Sequence, residues 1–497
     1  MKRRTFLRYG TAGLTLPFWL QYCDFPSEDF PVHFNSDHHA GHLLFQSKEW
    51  KKVKGKDTEV AVVGGGIAGL TAAHQLKGSD FQLYELSHSL GGTVSTETFN
   101  GFQFSQGAHY DLAYPENYGE KALKLLEGLG LITYEPWHRS WSFVEQAHVI
   151  PSFRRQQCYD HGNRRKDVIP DSPLKNQFVE LMLQYEGEMT MPTRLIDSKF
   201  HHLNSFTFAE FLRNELPVTE AFIRQVDYHM YDDYGGSSAM VSALAGIHYF
   251  ACRPYYTRDV PLFSPPNGNK YFADALIGKV DTKRLNSSHL VKSVRKAGQQ
   301  YELEILNLGA QQVEEVTAQK VIYAGQKHAL KYIYPAQAKL FENTYAPWMV
   351  VNLISRQTPG EYGYWQNEFL ADNDQFLGFI DSSVQSQKEL KGKRVFTGYY
   401  CLDPADREHL LSIENAKVNI VRETQGYVEK MLETSLDVEA GFIKVMGHAM
   451  PIPGPGHLLN DANERQDADM IYAGVDNGRL PLLFEAVDSG LQAVDLI

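Results

Sequence analysis

The chain has 497 residues, 43% of them hydrophobic and 22% charged, with a formal net charge of -12. That length and apolar content allow a large core divided over two or three domains. The acidic balance excludes a general nucleic-acid binder, because a negative surface repels a phosphate backbone. Four cysteines, Cys23, Cys158, Cys252 and Cys401, form no C-x-x-C pair, so neither a zinc site nor a redox dithiol is indicated. His38, His39, His42, His201 and His202 lack carboxylate or cysteine partners at ligand spacing, and no metal site is expected.

Lys2-Arg3-Arg4-Thr5-Phe6-Leu7-Arg8 opens the chain, and the mildly apolar segment Thr11–Leu20 that follows is too short to span a bilayer. Two arginines ahead of a polar residue and Phe-Leu resemble the twin-arginine export signal. The resemblance implies a protein folded in the cytoplasm and delivered to the periplasm; the alternative is a basic N-terminus with no address. Cys23 raises a lipid anchor on the periplasmic side, although Leu20-Gln21-Tyr22 lack the small side chains such a site prefers. No later stretch approaches about 18 apolar residues, so no transmembrane helix is predicted. Residues 24–57 read as an irregular lead-in.

Val60-Ala61-Val62-Val63 is an apolar run suited to a parallel strand covered on both faces. Gly64, Gly66 and Gly69 follow at the spacing G-x-G-x-x-G: the first for a tight turn, the second for backbone approach to a pyrophosphate, the third for close helix–strand packing. Leu70 to Leu76 continues the helix whose N-terminus faces phosphate. A second strand, Phe81 to Tyr84, ends at Glu85, about 20 residues on, where a carboxylate accepts ribose hydroxyls. Strand, glycines, helix, strand and acid in register predict a dinucleotide site.

Leu90-Gly91-Gly92-Thr93 comes next. It resembles the second glycine motif of the flavin-dependent amine oxidase family, which also includes carotenoid-type desaturases and protoporphyrinogen oxidases. The resemblance implies FAD as cofactor and an α/β fold: a three-layer, Rossmann-like FAD-binding domain with an inserted α+β substrate domain. Thr93 stands where the family motif carries an arginine, which removes one charge-assisted phosphate contact.

Val94 to Phe99 alternates as a strand, Asn100-Gly101 makes a two-residue hairpin turn, and Phe102 to Phe104 returns. Gln106-Gly107-Ala108-His109 resembles the family segment that approaches the flavin ring; His109 either faces the ring or is hydrogen-bonded within the fold. Glu120 to Leu129 has helical spacing. Phe206 to Leu216 reads as a helix stopped by Pro217. Tyr228 to Gly236 gathers tyrosines with Asp227, Asp232 and Asp233, read as a solvated turn in preference to an amine-attracting cluster. Ser238 to Cys252 reads as a buried helix. Pro265-Pro266-Asn267-Gly268-Asn269 and the helix from Tyr271 resemble the return into the flavin domain, and Val291 matches the position whose backbone binds adenine.

Alternating strands follow at Tyr301 to Leu306, Gln319 to Tyr323, Trp348 to Ser355, Phe376 to Ile380 and Arg394 to Tyr400, with a long helix from Ile413 to Leu432. Near the end, Met470 to Asp476 and Phe484 to Ala493 resemble the strand, acid and helix that close the family's FAD site. The resemblance assigns cofactor-binding roles to Gly64, Gly66, Ile67, Ala68, Gly69, Glu85, Gly91, Gly92, Thr93, Gly107, Ala108, Val291, Gly474, Asp476, Ala486 and Val487. Glu485 stands where a glycine is usual. The expected division is 58–134, 251–330 and 441–497 for the FAD domain. The substrate domain takes 135–250 as its helical part and 331–440 as its sheet part.

Amine oxidases of this family carry a lysine near flavin N5 and an aromatic pair facing the amine; the matching segments here lack both. His109, Trp348, Trp365, His448 and His457 are the candidates for lining the pocket, with no catalytic residue singled out. The expected function is that of an exported FAD-dependent oxidoreductase of a small molecule, oxidising an amine or a saturated C–C or C–N bond. The alternatives are a nicotinamide-dinucleotide dehydrogenase and a flavin-bearing interaction protein with little catalysis. Substrate, electron acceptor and oligomeric state are not legible.

Overall fold

The computed structural model describes residues 30–109, 117–252, 261–356, 363–370 and 375–497; Arg3, Arg4 and Cys23 lie outside the described residues. Two eight-stranded sheets dominate. The first carries the glycine motif. Strands Leu285–Asn286, Phe81–Tyr84, Thr58–Val63, Gln312–Tyr323 and Ile471–Tyr472 are parallel neighbours, extended by an antiparallel meander through Gln300–Asn307 and His289–Ala297. Burial on both faces explains the unbroken apolar run: Val60 and Val62 pack into one core cluster, Ala61 and Val63 into another.

The second sheet runs in the order Val32–Asn35, Val438–Pro451, Tyr345–Arg356, Lys393–Cys401, Phe376–Asp381, Gln366–Leu370, Gln156–Asp160 and Asn163–Arg165. Its strand Tyr345–Arg356 shows how a strand serves two surfaces. Met349, Val351 and Leu353 pack with Ile420, Val421 and Val428 of the helix Ile413–Leu432, while Trp348 and Val350 face a cavity on the other side. The helices Glu220–Tyr234 and Ala243–Cys252 flank that cavity, and Pro173–Leu183 and Phe208–Glu215 pack with them in an aromatic-rich core. Among the described residues no helix is long and apolar enough to cross a membrane, and no group of residues could hold a metal ion.

Four expectations change. The lead-in is not irregular: Val32–Asn35 joins the second sheet and Lys51–Lys54 the first. Its partners lie hundreds of residues away, so no local periodicity marks it. Residues 228–236 are not a solvated turn. They complete the helix Glu220–Tyr234, because Phe222, Ile223, Val226, Met230 and Tyr234 are all buried, and Gly235 ends it in the left-handed conformation at φ 71°. The helix expected over 238–252 spans Ala243–Cys252, after a turn fixed by the Asp227 carboxylate accepting from the Ser238 N–H at 2.6 Å. The segment 135–250, expected as helical, also gives two strands to the second sheet, and the strand Val438–Pro451 spans position 440, because sheet pairing and not chain order groups these pieces.

Candidate functional site

One continuous cavity of about 870 Å³ runs from the glycine loops to the inner face of the second sheet, within the size range of cofactor sites. At the glycine-loop end the strand Thr58–Val63 passes through Gly64, at φ 105°, into the helix Ile67–Gln75. A Cβ on Gly69 would lie 1.9 Å from the Gly64 carbonyl oxygen, so Gly69 serves helix–strand packing and does not line the cavity. Gly66 differs: a Cβ there would meet only the Gly92 Cα, at 4.0 Å. Its free side is cavity, with the N-terminal N–H groups of the helix behind it. Gly91 donates to the Gly65 carbonyl at 2.8 Å, which clamps the second glycine loop against the first.

The Glu85 carboxylate accepts from the N–H of Gly65 at 2.6 Å and of Ser87 at 2.8 Å. Burial raises its pKa while those two N–H groups oppose the rise. Asp476 accepts from the Lys327 N–H at 2.8 Å and from the Tyr345 hydroxyl at 2.9 Å. The Lys327 ammonium, fully buried, lies 3.4 Å from Asp476 and donates to the carbonyls of Gly325, Tyr323 and Ala473. Burial lowers its pKa against the Asp476 charge. Lys327 thus ties the ends of strands Gln312–Tyr323 and Ile471–Tyr472; nothing in its local sequence marks that role.

Gly64, Gly66, Ile67, Ala68, Glu85, Gly91, Gly92, Thr93, Gly107, Ala108, Val291, Gly474, Asp476 and Ala486 line the cavity together. Val487, one position beyond Ala486 on the helix Leu483–Asp495, turns into the core instead. Glu485 points away, its carboxylate accepting from the Thr193 N–H at 2.7 Å, with the Arg479 guanidinium 3.6 Å off.

Beyond the glycine loops, Gly107 approaches Thr93 so closely that a Cβ would sit 1.9 Å from the Thr93 carbonyl oxygen. The Tyr399 hydroxyl donates to the Gly107 carbonyl at 2.9 Å and lies 3.0 Å from His109 Nδ1. With the hydroxyl proton spent on Gly107, Nδ1 is the donor in that pair. Burial pushes the His109 imidazole down to about 3, so it is neutral. Trp348 packs edge-on to Tyr399 at 5.9 Å, and Trp365 donates its indole N–H to Ser264 Oγ at 2.8 Å. His448 stacks on His328 at 3.7 Å and is likewise pushed down to about 3. His109, Trp348, Trp365 and His448 all line the cavity; His457 does not, being held at 3.1 Å from the Arg479 carbonyl.

The far wall holds groups that the sequence reading assigned to a solvated turn, together with one, Glu368, that it left out. Tyr228, His229, Asp232 and Asp233 come from the helix Glu220–Tyr234, and Glu368 from strand Gln366–Leu370. Asp232 accepts from Gln366 Nε2 at 3.2 Å. Glu368 is 2% exposed, its Oε2 has no hydrogen-bond partner among the described residues, and burial beside Asp167 and Asp232 holds its carboxyl well above the usual range. The periodicity of the helix was the available signal for the first four.

Residues 62–127 match the family model for an NAD(P)-binding Rossmann-like domain. Most of the chain superposes on solved oxidases. Putrescine oxidase bound to putrescine gives a TM-score of 0.60 at 15% identity, covering 90% of this chain and 99% of that one. Cyclohexylamine oxidase from Brevibacterium oxydans IH-35A gives 0.59 at 15% identity, covering 89% and 98%. A protein from Exiguobacterium sp. 255-15 assigned as a protoporphyrinogen oxidase gives 0.62 at 14% identity, covering 89% and 99%. The chain has the amine-oxidase fold. At these identities the likeness concerns the fold.

Proposed function

We propose that the protein is an FAD-dependent oxidoreductase that oxidises an amine, or a saturated C–C or C–N bond, of an elongated, partly apolar molecule. One observation carries the reading: both glycine loops, Glu85 and Asp476 open onto a single cavity that continues past His109 into the substrate sheet. The residues present fit the cofactor. The free side of Gly66 leaves room for a pyrophosphate, Glu85 supplies ribose acceptors, Val291 stands at the adenine end, and Gly107–His109 and Ala486 border the place for the ring. A nicotinamide dinucleotide needs neither the Gly91-Gly92 loop nor the Asp476 segment. FAD, when bound, supplies the hydride acceptor.

The chain supplies orientation and shielding. Tyr399 fixes the Gly107 carbonyl and the His109 ring in one hydrogen-bonded unit beside the ring position. Trp348, Leu377, Phe379 and Met446 offer an apolar wall to the donor, while Asp232 and Glu368 offer oxygen acceptors to a nitrogen at its far end. Neutral His109 holds a lone pair and no charge, which favours a donor whose reacting nitrogen arrives uncharged. The test is anaerobic. The protein is purified, its flavin identified after denaturation, and a donor series from one small monoamine to longer secondary amines is scored by flavin bleaching. The longer donors are expected to bleach faster; fastest bleaching by the small monoamine, or a preparation that takes up no FAD, refutes the reading.

We further propose export. Arg3 and Arg4 support it, and replacing both by lysine, which keeps the charge and removes only the receptor-read pair, should retain the protein in the cytoplasm on fractionation. Unchanged periplasmic accumulation refutes it.

A further inference from the structure

Lys444 lies in the strand Val438–Pro451, between Val350 of one neighbour and Asn35 of the lead-in strand on the other. It is 7% exposed, and what it faces is the cavity. A buried ammonium needs close anionic partners, and this one is underpartnered: its ion pair with Asp37 spans 4.0 Å. Asp37 is itself engaged, accepting from Ser87 Oγ at 2.8 Å. Glu85 and Glu97 act on the ammonium only through longer-range attraction, and burial lowers its pKa against all three carboxylates. The glycine loops on the same cavity offer backbone N–H groups without a full positive charge, and Thr93 adds none. An anion of high charge density entering there would find partial charges from the first sheet and one whole charge from the second.

We propose that Lys444 is a phosphate-binding residue: its ammonium pairs with the pyrophosphate of the bound dinucleotide, and the lead-in strand Val32–Asn35 holds it in place. The proposal rests on the FAD reading above and adds to it a cofactor contact from the substrate sheet. The lead-in also closes over this end. Asp37, His38, Leu44 and Phe45 line the cavity, Leu44 joins the core, and Phe45 packs edge-on to Tyr332 at 4.5 Å. The bound phosphates thereby join the two sheets and the lead-in electrostatically.

The two roles open to Lys444 predict opposite outcomes. Paired only with Asp37, it would stabilise the apoprotein; kept for a phosphate, it burdens the apoprotein and repays that on binding. Apoprotein thermal midpoints and FAD dissociation constants are measured for the full chain and for K444M, K444R and D37N. K444M should bind FAD at least tenfold more weakly, with a shallower salt dependence, while its apoprotein midpoint stays the same or rises. K444R should recover most of the affinity, and D37N should bind FAD as well or better. Unchanged FAD affinity in K444M, or a fall in affinity in D37N, overturns the proposal. If K444M does not fold, K444R and D37N still decide: weakened FAD binding in either overturns it. A wild type that takes up no FAD overturns the cofactor reading and this one with it. A wild type that binds FAD beside an indifferent K444M overturns the role of Lys444 alone.

Discussion

Gly66 and Gly69 stand three residues apart in one motif, yet the structure assigns them different work, and alanine separates the two. At Gly69 the added Cβ would lie 1.9 Å from the Gly64 carbonyl oxygen. The oxygen is backbone and the Cβ is fixed rigidly to the backbone, so the helix Ile67–Gln75 must move off its strand. Overpacking of this kind costs about 1–3 kcal/mol, partly offset by about 1 kcal/mol of alanine helix propensity. At Gly66 the backbone sits at φ -73°, open to any residue, and the added Cβ touches only the Gly92 Cα at 4.0 Å. Losing glycine at this N-cap costs about 0.5–1 kcal/mol at most. Its methyl would, however, fill the space where the pyrophosphate meets the helix N–H groups. Displacing one charge-assisted hydrogen bond costs about 1.5–3 kcal/mol, which is roughly tenfold to a hundredfold in affinity. Apoprotein unfolding in urea and FAD titration by fluorescence quenching read the two effects separately. Gly69→Ala should lower the urea midpoint clearly; Gly66→Ala should leave it nearly unchanged and bind FAD at least tenfold more weakly. A Gly66→Ala protein with wild-type FAD affinity refutes the placement of the pyrophosphate, and an undisturbed Gly69→Ala midpoint refutes the packing argument.

Tyr399→Phe leaves the Gly107 carbonyl and His109 Nδ1 without their shared partner. It should slow flavin reduction by a good donor about tenfold, as one buried hydrogen-bond partner lost costs about 1–3 kcal/mol, with little change in FAD affinity by titration. Arg394→Met leaves the Asp381 carboxylate, bound at 2.6 and 3.0 Å and with no exposed side-chain surface, uncompensated; a stability loss of about 3–5 kcal/mol is expected from urea unfolding. Burial depresses His229 and His328 to about 4 and His448 to about 3. The unfolded chain therefore binds protons that the folded one refuses, and apoprotein stability should fall as pH drops from about 6.5 towards 4. The double variant His328→Gln, His448→Gln should flatten that slope, and an unchanged slope counts against the burial of the pair.

The sequence by itself determined the parts of this protein that are local. The strand–glycine–helix unit at Val60–Leu76 followed from burial on both faces and from steric needs a few residues apart, and the hairpin at Asn100-Gly101 from two positive φ values of 48° and 75°. The helix Ile413–Leu432 was marked by its period. Tertiary structure alone decided what depends on partners distant in the chain. The lead-in acquired its strands only by pairing with residues 438–451 and 312–323. The helix Glu220–Tyr234 turned a stretch of tyrosines and acids into a cavity wall because its other face had a core to bury. Lys327 and Lys444 read as ordinary lysines until the fold removed them from water and set them beside Asp476 and Asp37. A charge takes its meaning from what surrounds it, and those surroundings are assembled from segments that no local pattern connects.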